Sequence, residues 1–312
     1  MLDPSAESYL QSLTGGSPLN TMSPEEARRV AKEDFTKNAG KPAAVNSVEE
    51  SIIQSELGRI DLRIITPLGD APFPVVIFYH GGGWVLGDLD DYEVLMKSLA
   101  AASNSIVVGV GYGLSPENKF PKAVEESYAA LNWVHENIKD FGGDPERIAL
   151  VGDSAGGNLA TVSCMLSKQR GGPHITYQIL IYPTTDLSLR SSSWDRLSEG
   201  YFLGKEDMIW FRDQYLSSKE DVEDPRASPL LSDDLSGLPP ALVITAEYDP
   251  LKDEGEAYAQ KMKSFGVDVD SVCYKGMIHT FVSKAKLFEQ AQEVIDLMGN
   301  MLKRHFQTEE KE

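Results

Sequence analysis

The sequence predicts an α/β fold on a mainly parallel sheet covered by helices on both faces, and three observations carry that expectation. From about residue 50 onward, short apolar runs suited to buried strands alternate with helical stretches. Glycine-rich turns stand directly after two of those runs, at His80-Gly81-Gly82-Gly83 and at Gly152-Asp153-Ser154-Ala155-Gly156. The 312 residues suffice for one large domain or two small ones with a substantial core, so stability needs neither metal nor disulfide.

Residues 1–45 read as helical and precede the first strand signal. Ser23 is an N-cap, Pro24 suits the first helical position, and Glu26 completes a capping box ahead of an apolar-periodic segment at 27–35. Strands are expected at 75–79, 105–110, 148–151, 175–182, 241–245 and 269–274. Between them, 121–139 carries Val124, Tyr128, Leu131, Val134 and Ile138 at helical spacing and stops at Gly142-Gly143. Further helices are expected at 155–169, 250–265 and 287–306, with a loose end at 307–312. Residues 187–230 break the alternation. Polar at first, they then concentrate Trp194, Tyr201, Phe202, Leu203, Met208, Trp210, Phe211 and Tyr215, the composition of a lid between two strands.

Charge and composition exclude several classes of function. Lys and Arg number 29 against 48 Asp and Glu, a net charge of −19 that would be repelled by nucleic acid or an anionic membrane surface. Cys164 and Cys273 are too far apart for a metal-ligand cluster or a disulfide framework and read as two reduced thiols. No apolar run approaches the ~18 residues of a membrane-spanning helix. Met1-Leu2-Asp3-Pro4 lacks the basic and apolar regions of a secretion signal, so the expected compartment is the cytoplasm.

The chemistry concentrates at the glycine-rich turns. Gly152 to Gly156 fits G-x-S-x-G between an apolar strand and a helix rich in small residues, the setting in which Ser154 becomes a nucleophile on a strained turn. The three glycines after His80 leave backbone N–H groups to face a bound oxygen, and an anionic tetrahedral intermediate needs two or three such donors. We expect Gly81 and Gly82 to supply them together with Ala155, while His80 braces the loop. Ser154 needs a histidine base, and the chain has five. His80 and His135 precede the serine, His174 precedes any plausible acid and His305 sits in the last helix. His279, directly after the last strand, remains. The acid is expected after the preceding strand, where Asp249 leads and Glu247 is the alternative.

With these residues in place, the chain resembles the hormone-sensitive-lipase-like group of α/β-hydrolases, the bacterial family IV carboxylesterases, over nearly its whole length. His80 to Trp84 match that family's oxyanion motif and Gly152 to Gly157 its nucleophile elbow. Asp249-Pro250-Leu251 match its acid motif, and Gly276 to His279 its histidine motif. The family's Tyr-Arg-Leu-Ala-Pro-Glu reads Tyr112-Gly113-Leu114-Ser115-Pro116-Glu117 here, which puts a local ion pair in doubt. The resemblance implies an α/β-hydrolase core at 46–186 and 231–312, with a helical cap formed by 1–45 and 187–230. It also implies hydrolysis of short- to medium-chain esters through an acyl-enzyme, without cofactor or metal, and a homodimer paired through an edge strand. Trp84, Met208, Ile278 and Phe281 are candidates for an apolar substrate pocket. Two other readings stay open: the same machinery acting on amides or carbamates, and a binding protein like the plant gibberellin receptors, which resemble this group but have lost the histidine that His279 represents here.

Overall fold

Each of the six expected strands belongs to one sheet in the computed structural model, which describes residues 1–309. In chain order the elements are α1 (Pro4–Ser12), α2 (Pro24–Asn38), β1 (Ser47–Ser55), β2 (Gly58–Thr66), β3 (Phe73–Tyr79), α3 (Glu93–Ser103), β4 (Ile106–Gly111) and α4 (Lys122–Asn137). They continue with β5 (Gly143–Asp153), α5 (Ala155–Arg170), β6 (Tyr177–Ile181), α6 (Ser193–Arg196), α7 (Lys205–Tyr215), β7 (Ala241–Tyr248), α8 (Lys252–Ser264), β8 (Val269–Ile278) and α9 (Glu289–Glu309). The sheet order is β1-β2-β4-β3-β5-β6-β7-β8. All pairs from β4 to β8 are parallel, and β1 and β2 add an antiparallel hairpin at one edge. This is the α/β-hydrolase arrangement that the resemblance implied.

Alternation along the central strands sends side chains to two cores. Val75, Ile77, Ile148 and Leu150 meet Leu131, Val134 and Leu159 of α4 and α5 on one face. Val76, Phe78, Ala149 and Val151 meet Leu95 and Leu99 of α3 and Val294, Met298 and Leu302 of α9 on the other. A strand buried on both faces reads as a continuous apolar run, which is why β3 to β7 are visible in the sequence. The hairpin is not expected from such runs, because β1 is mostly exposed and β2 alternates buried Ile60, Leu62 and Ile64 with the outward Arg59, Asp61 and Arg63. Of the helices, α1 falls within the stretch 1–45 read as helical, whereas α3 is not expected from the sequence. α1 begins with Asp3 accepting the Ser5 N–H at 2.8 Å and Pro4 at the first position, and α3 ends at Asn104 in the left-handed region. The expected loose end is corrected in part: residues 307–309 continue α9, while 310–312 lie outside the described residues.

Parallel strands place the turns after β3, β5, β7 and β8 along one edge of the sheet, where open α/β sheets hold their ligands. Residues 187–230, between β6 and β7, bury Trp194, Met208, Phe211 and Tyr215. This excursion meets the N-terminal region where the Asn20 N–H donates to Asp207 Oδ1 at 3.3 Å. Among the described residues no helix is long and apolar enough to cross a membrane.

Candidate active site

Between β5 and α5 the chain turns so sharply that only glycine fits on either side of the serine. A Cβ on Gly152 would lie 2.1 Å from the Gly156 carbonyl oxygen, and one on Gly156 would lie 1.9 Å from the Tyr79 oxygen. Ser154 itself has φ 55° and ψ −118°, a conformation that costs on the order of 1–3 kcal/mol and is held by its N–H donating to Ile181 O at 2.8 Å. Its hydroxyl is 2.9 Å from His279 Nε2, and His279 Nδ1 is 2.6 Å from Asp249 Oδ2. With Asp249 ionised, Nδ1 carries the proton and donates it, so Nε2 presents its lone pair to the Ser154 hydroxyl. The three side chains are nearly sealed from solvent: Ser154 is 7% exposed, His279 4% and Asp249 0%. The second Asp249 oxygen accepts the Leu251 N–H at 2.9 Å, which fixes the carboxylate plane. Glu247, the alternative acid, instead accepts the Gly276 N–H at 2.8 Å and ties β7 to β8.

One assignment needs correction. The Gly81 N–H donates to Asp153 Oδ1 at 2.7 Å, so it cannot serve a bound oxyanion. The β3–β5 register pairs Tyr79 with Gly152, and this carries Gly81 past the β5 terminus beside the Asp153 carboxylate. Tyr92 OH donates to the other oxygen of Asp153 at 3.2 Å. Burial nevertheless pushes the Asp153 carboxyl up to about 6, against the lowering effect of these two bonds. Among the described residues no partner takes the N–H of Gly82, Gly83 or Ala155. Gly82 at φ 110° and Gly83 at φ 60° need the left-handed backbone that glycine permits. His80 braces this loop: its ring stacks on Tyr112 at 4.4 Å, and Nδ1 lies 2.8 Å from Gly81 O. Burial lowers its pKa to about 4, which keeps it neutral.

Of the expected pocket residues, Trp84 is wholly buried and stacks on Tyr215 at 4.1 Å with planes 2° apart. Met208, Ile278 and Phe281 are also buried, and Phe281 packs 5.9 Å from Tyr182. Phe211, one of the excursion's aromatics, and Tyr182, which is not among the expected residues, also stand at the site. The Phe211 ring sits so tightly on Gly83 that a Cβ there would lie 2.3 Å from its Cδ1. Tyr182 brings its ring 4.8 Å from the His279 ring. Spacing with Met208 and Tyr215 could have revealed Phe211 as part of one α7 face. Nothing in the sequence marked Tyr182 apart from its place at a strand end.

The ion pair put in doubt by Gly113 is supplied from elsewhere. Arg28 of α2 forks onto both Glu117 oxygens at 2.9 and 2.6 Å, and its remaining N–H groups reach Ser115 O at 2.8 Å and Val85 O at 2.9 Å. The Gly113 N–H donates to the buried Glu126 at 2.6 Å. No group of three or more His, Cys, Asp or Glu converges to hold a metal ion among the described residues.

A family model described as alpha/beta hydrolase fold matches residues 76–283, a span that contains all four turns. The chain belongs to the α/β-hydrolase family. The hormone-sensitive-lipase-like resemblance read from the motifs stands with it. Within this family the chain is similar to the carboxylic ester hydrolase LipN of Mycobacterium tuberculosis, 42% identical over 246 residues, 77% of this chain and 65% of LipN. It is 35% identical to the ethyl acetate hydrolase of Pseudomonas putida over 97% of this chain and 99% of that one. Among solved α/β-hydrolases, the ester-hydrolase EH1AB1 from the Lake Arreo metagenome, in complex with a derivative of bipyridine phosphonate, superposes with a TM-score of 0.94. Identity is 36%, over 98% of this chain and 99% of that chain. This α/β-hydrolase is a carboxylic ester hydrolase.

Proposed function

We propose that the enzyme is a serine carboxylesterase working through Ser154, His279 and Asp249, with Gly82, Gly83 and Ala155 as the oxyanion donors. The observation that carries this reading is the unbroken sequence of contacts from Asp249 through His279 to Ser154, at 2.6 and 2.9 Å. Ser154 attacks the ester carbonyl carbon while His279 Nε2 takes the hydroxyl proton, and the carbonyl oxygen becomes an anion facing the three free N–H groups. His279 returns that proton to the leaving alkoxide as the tetrahedral intermediate collapses to an acyl-enzyme. A water then attacks the acyl carbon with His279 again as base, which releases the acid and regenerates Ser154. Asp249 holds the tautomer and stabilises the imidazolium without taking the proton.

In this reading the helices of 1–45 and the excursion at 187–230 are a cap over a core formed by 46–186 and 231–312. Phe211 on Gly83 narrows the space above the oxyanion donors, which supports small-molecule esters of short to medium acyl length. The ethyl acetate named for the Pseudomonas putida relative is consistent with that range. β8 lies at the sheet edge and is the strand through which a homodimer would pair. The test is hydrolysis of p-nitrophenyl esters of increasing acyl length by the parent and by Ser154→Ala. Turnover that falls by several orders of magnitude in the variant, to about the 10³- to 10⁴-fold residual of an oxyanion site, supports the assignment. Equal turnover overturns it.

A further inference from the structure

Lys284 is only 1% exposed, and no other lysine or arginine among the described residues is buried. It stands on the turn that follows His279, and its main chain belongs wholly to that turn. The N–H donates to Phe281 O at 3.1 Å, and the carbonyl accepts from Leu287 and Phe288 at 2.9 and 3.2 Å. Its side chain, by contrast, ends among residues from three other parts of the molecule. The ammonium lies 5.5 Å from the Tyr9 ring centre of α1, 5.1 Å from that of Phe35 on α2 and 5.3 Å from that of Phe202 in the excursion. Nζ donates to Asp34 Oδ2, which also accepts Tyr9 OH at 2.9 Å, while Asn38 Nδ2 holds Asp34 Oδ1 at 2.7 Å.

Phe202 makes this cage at a conformational cost. Its φ of 76° is unusual for a bulky residue, and the residue remains 36% exposed. A favourable ring-to-ammonium contact accounts for both. Its neighbour Tyr201 packs 5.3 Å from Tyr248, which immediately precedes Asp249, so the same loop touches the turns bearing the acid and the base. Stability alone does not explain the arrangement, because an enclosed ion pair gains little over apolar side chains of the same volume.

We propose that Lys284 is a positioning residue for His279: its caged ammonium couples the seating of α1, α2 and the Phe202 loop to the turn that carries the base. This rests on the serine-esterase reading. When the cap segments are seated, the turn is pinned and His279 holds its place between Ser154 and Asp249. When Asp34 or Phe202 withdraws, the turn loses the contact made through Lys284 and keeps backbone ties to α2 such as the Lys286 N–H donating to Asn38 O at 3.1 Å. A misplacement of about 1 Å at a reacting group costs on the order of 10²-fold in rate.

The experiment compares the parent with Asp34→Asn, Lys284→Met and the double variant, reading kcat and KM on p-nitrophenyl acetate and the far-downfield proton resonance of His279 Nδ1–H. Asp34→Asn, which strands a buried ammonium, is expected to lower kcat about 10- to 100-fold at nearly constant KM and to shift the resonance. The double variant strands no charge but also lacks the ammonium link, so it is expected to keep the lowered kcat and the moved resonance; recovery of both would assign the loss to the stranded charge and overturn the proposal. If Asp34→Asn and Lys284→Met both keep parental kcat and resonance while only Tm falls, the pair is structural and the proposal is overturned. Should Asp34→Asn fail to fold, Phe202→Ala leaves the ion pair intact. A fall in kcat of about 3-fold with a moved resonance then supports the proposal, and parental values of both overturn it. The resonance needs no turnover, so a parent inactive on every ester would sink the esterase reading and still leave Lys284 decided.

Discussion

Gly81 and Gly83 sit in one string of glycines yet differ, because the Gly81 N–H meets Asp153 while that of Gly83 has no partner among the described residues. The string announces a loop rich in donors; which donors remain free depends on the strand register that brings Asp153 alongside, and that is a tertiary fact. Asp153→Ala, which removes the tether of the loop, is expected to lower kcat on p-nitrophenyl acetate on the order of 10²-fold. Asp153→Asn, whose amide oxygen still accepts the Gly81 N–H, should keep most of the rate. Parental kcat in the alanine variant would mean that the loop holds its shape without Asp153. The acid was more legible. Glu247 is still within β7 and accepts the Gly276 N–H of the neighbouring strand, whereas Asp249 lies just past the strand end and reaches His279. Asp249→Asn should therefore lose roughly 10⁴-fold in kcat, as expected when the imidazole tautomer is wrong, with Glu247→Gln within a few-fold of the parent.

At the scale of elements, α7 is the piece whose placement the sequence least reveals. Its aromatics announce a buried face, but not that Phe211 would settle on Gly83 and Tyr215 on Trp84. The apolar run of a buried strand and the capping box of α2 depend on neighbours in the chain, so they can be read directly. Contacts between the excursion and the oxyanion loop join residues more than a hundred positions apart and leave no local pattern. Arg28, 89 positions from Glu117, is equally invisible to local pattern, and its fork onto that residue ties α2 to the loop and replaces an ion pair that the neighbouring Gly113 cannot make. Phe211→Ala is expected to clear space over the oxyanion donors. The ratio of kcat/KM for a hexanoate to that for acetate should rise roughly tenfold, the worth of about one well-placed methylene. A ratio unchanged across the p-nitrophenyl ester series would place the acyl chain elsewhere.

For the whole molecule, the net charge of −19 means that protonation is coupled to stability, and one buried carboxyl gives that coupling a defined window. Glu254 of α8 is 1% exposed and accepts N–H groups from Thr185 at 2.8 Å, Asp186 at 3.2 Å and Trp194 Nε1 at 3.1 Å. It thereby ties the core to the start of the excursion. Burial is the larger influence and pushes its pKa from 4.5 up to about 8, although the three donors favour the anion. The folded chain thus holds a proton that the unfolded chain releases, so stability falls as pH rises from 4.5 to about 8 and changes no further above that. Glu254→Gln cannot ionise and should lack this part of the slope, although its amide turns a donor toward one of the three N–H groups and lowers Tm at every pH. Thermal unfolding at pH 5 and pH 8.5, at one ionic strength so that repulsion among surface carboxylates is equally screened, isolates the difference. The parent should lose on the order of 4 kcal/mol more than the variant across that interval, about 8 °C in Tm for a chain of this size. Parallel slopes would mean that the three donors outweigh burial and that Glu254 is ionised throughout.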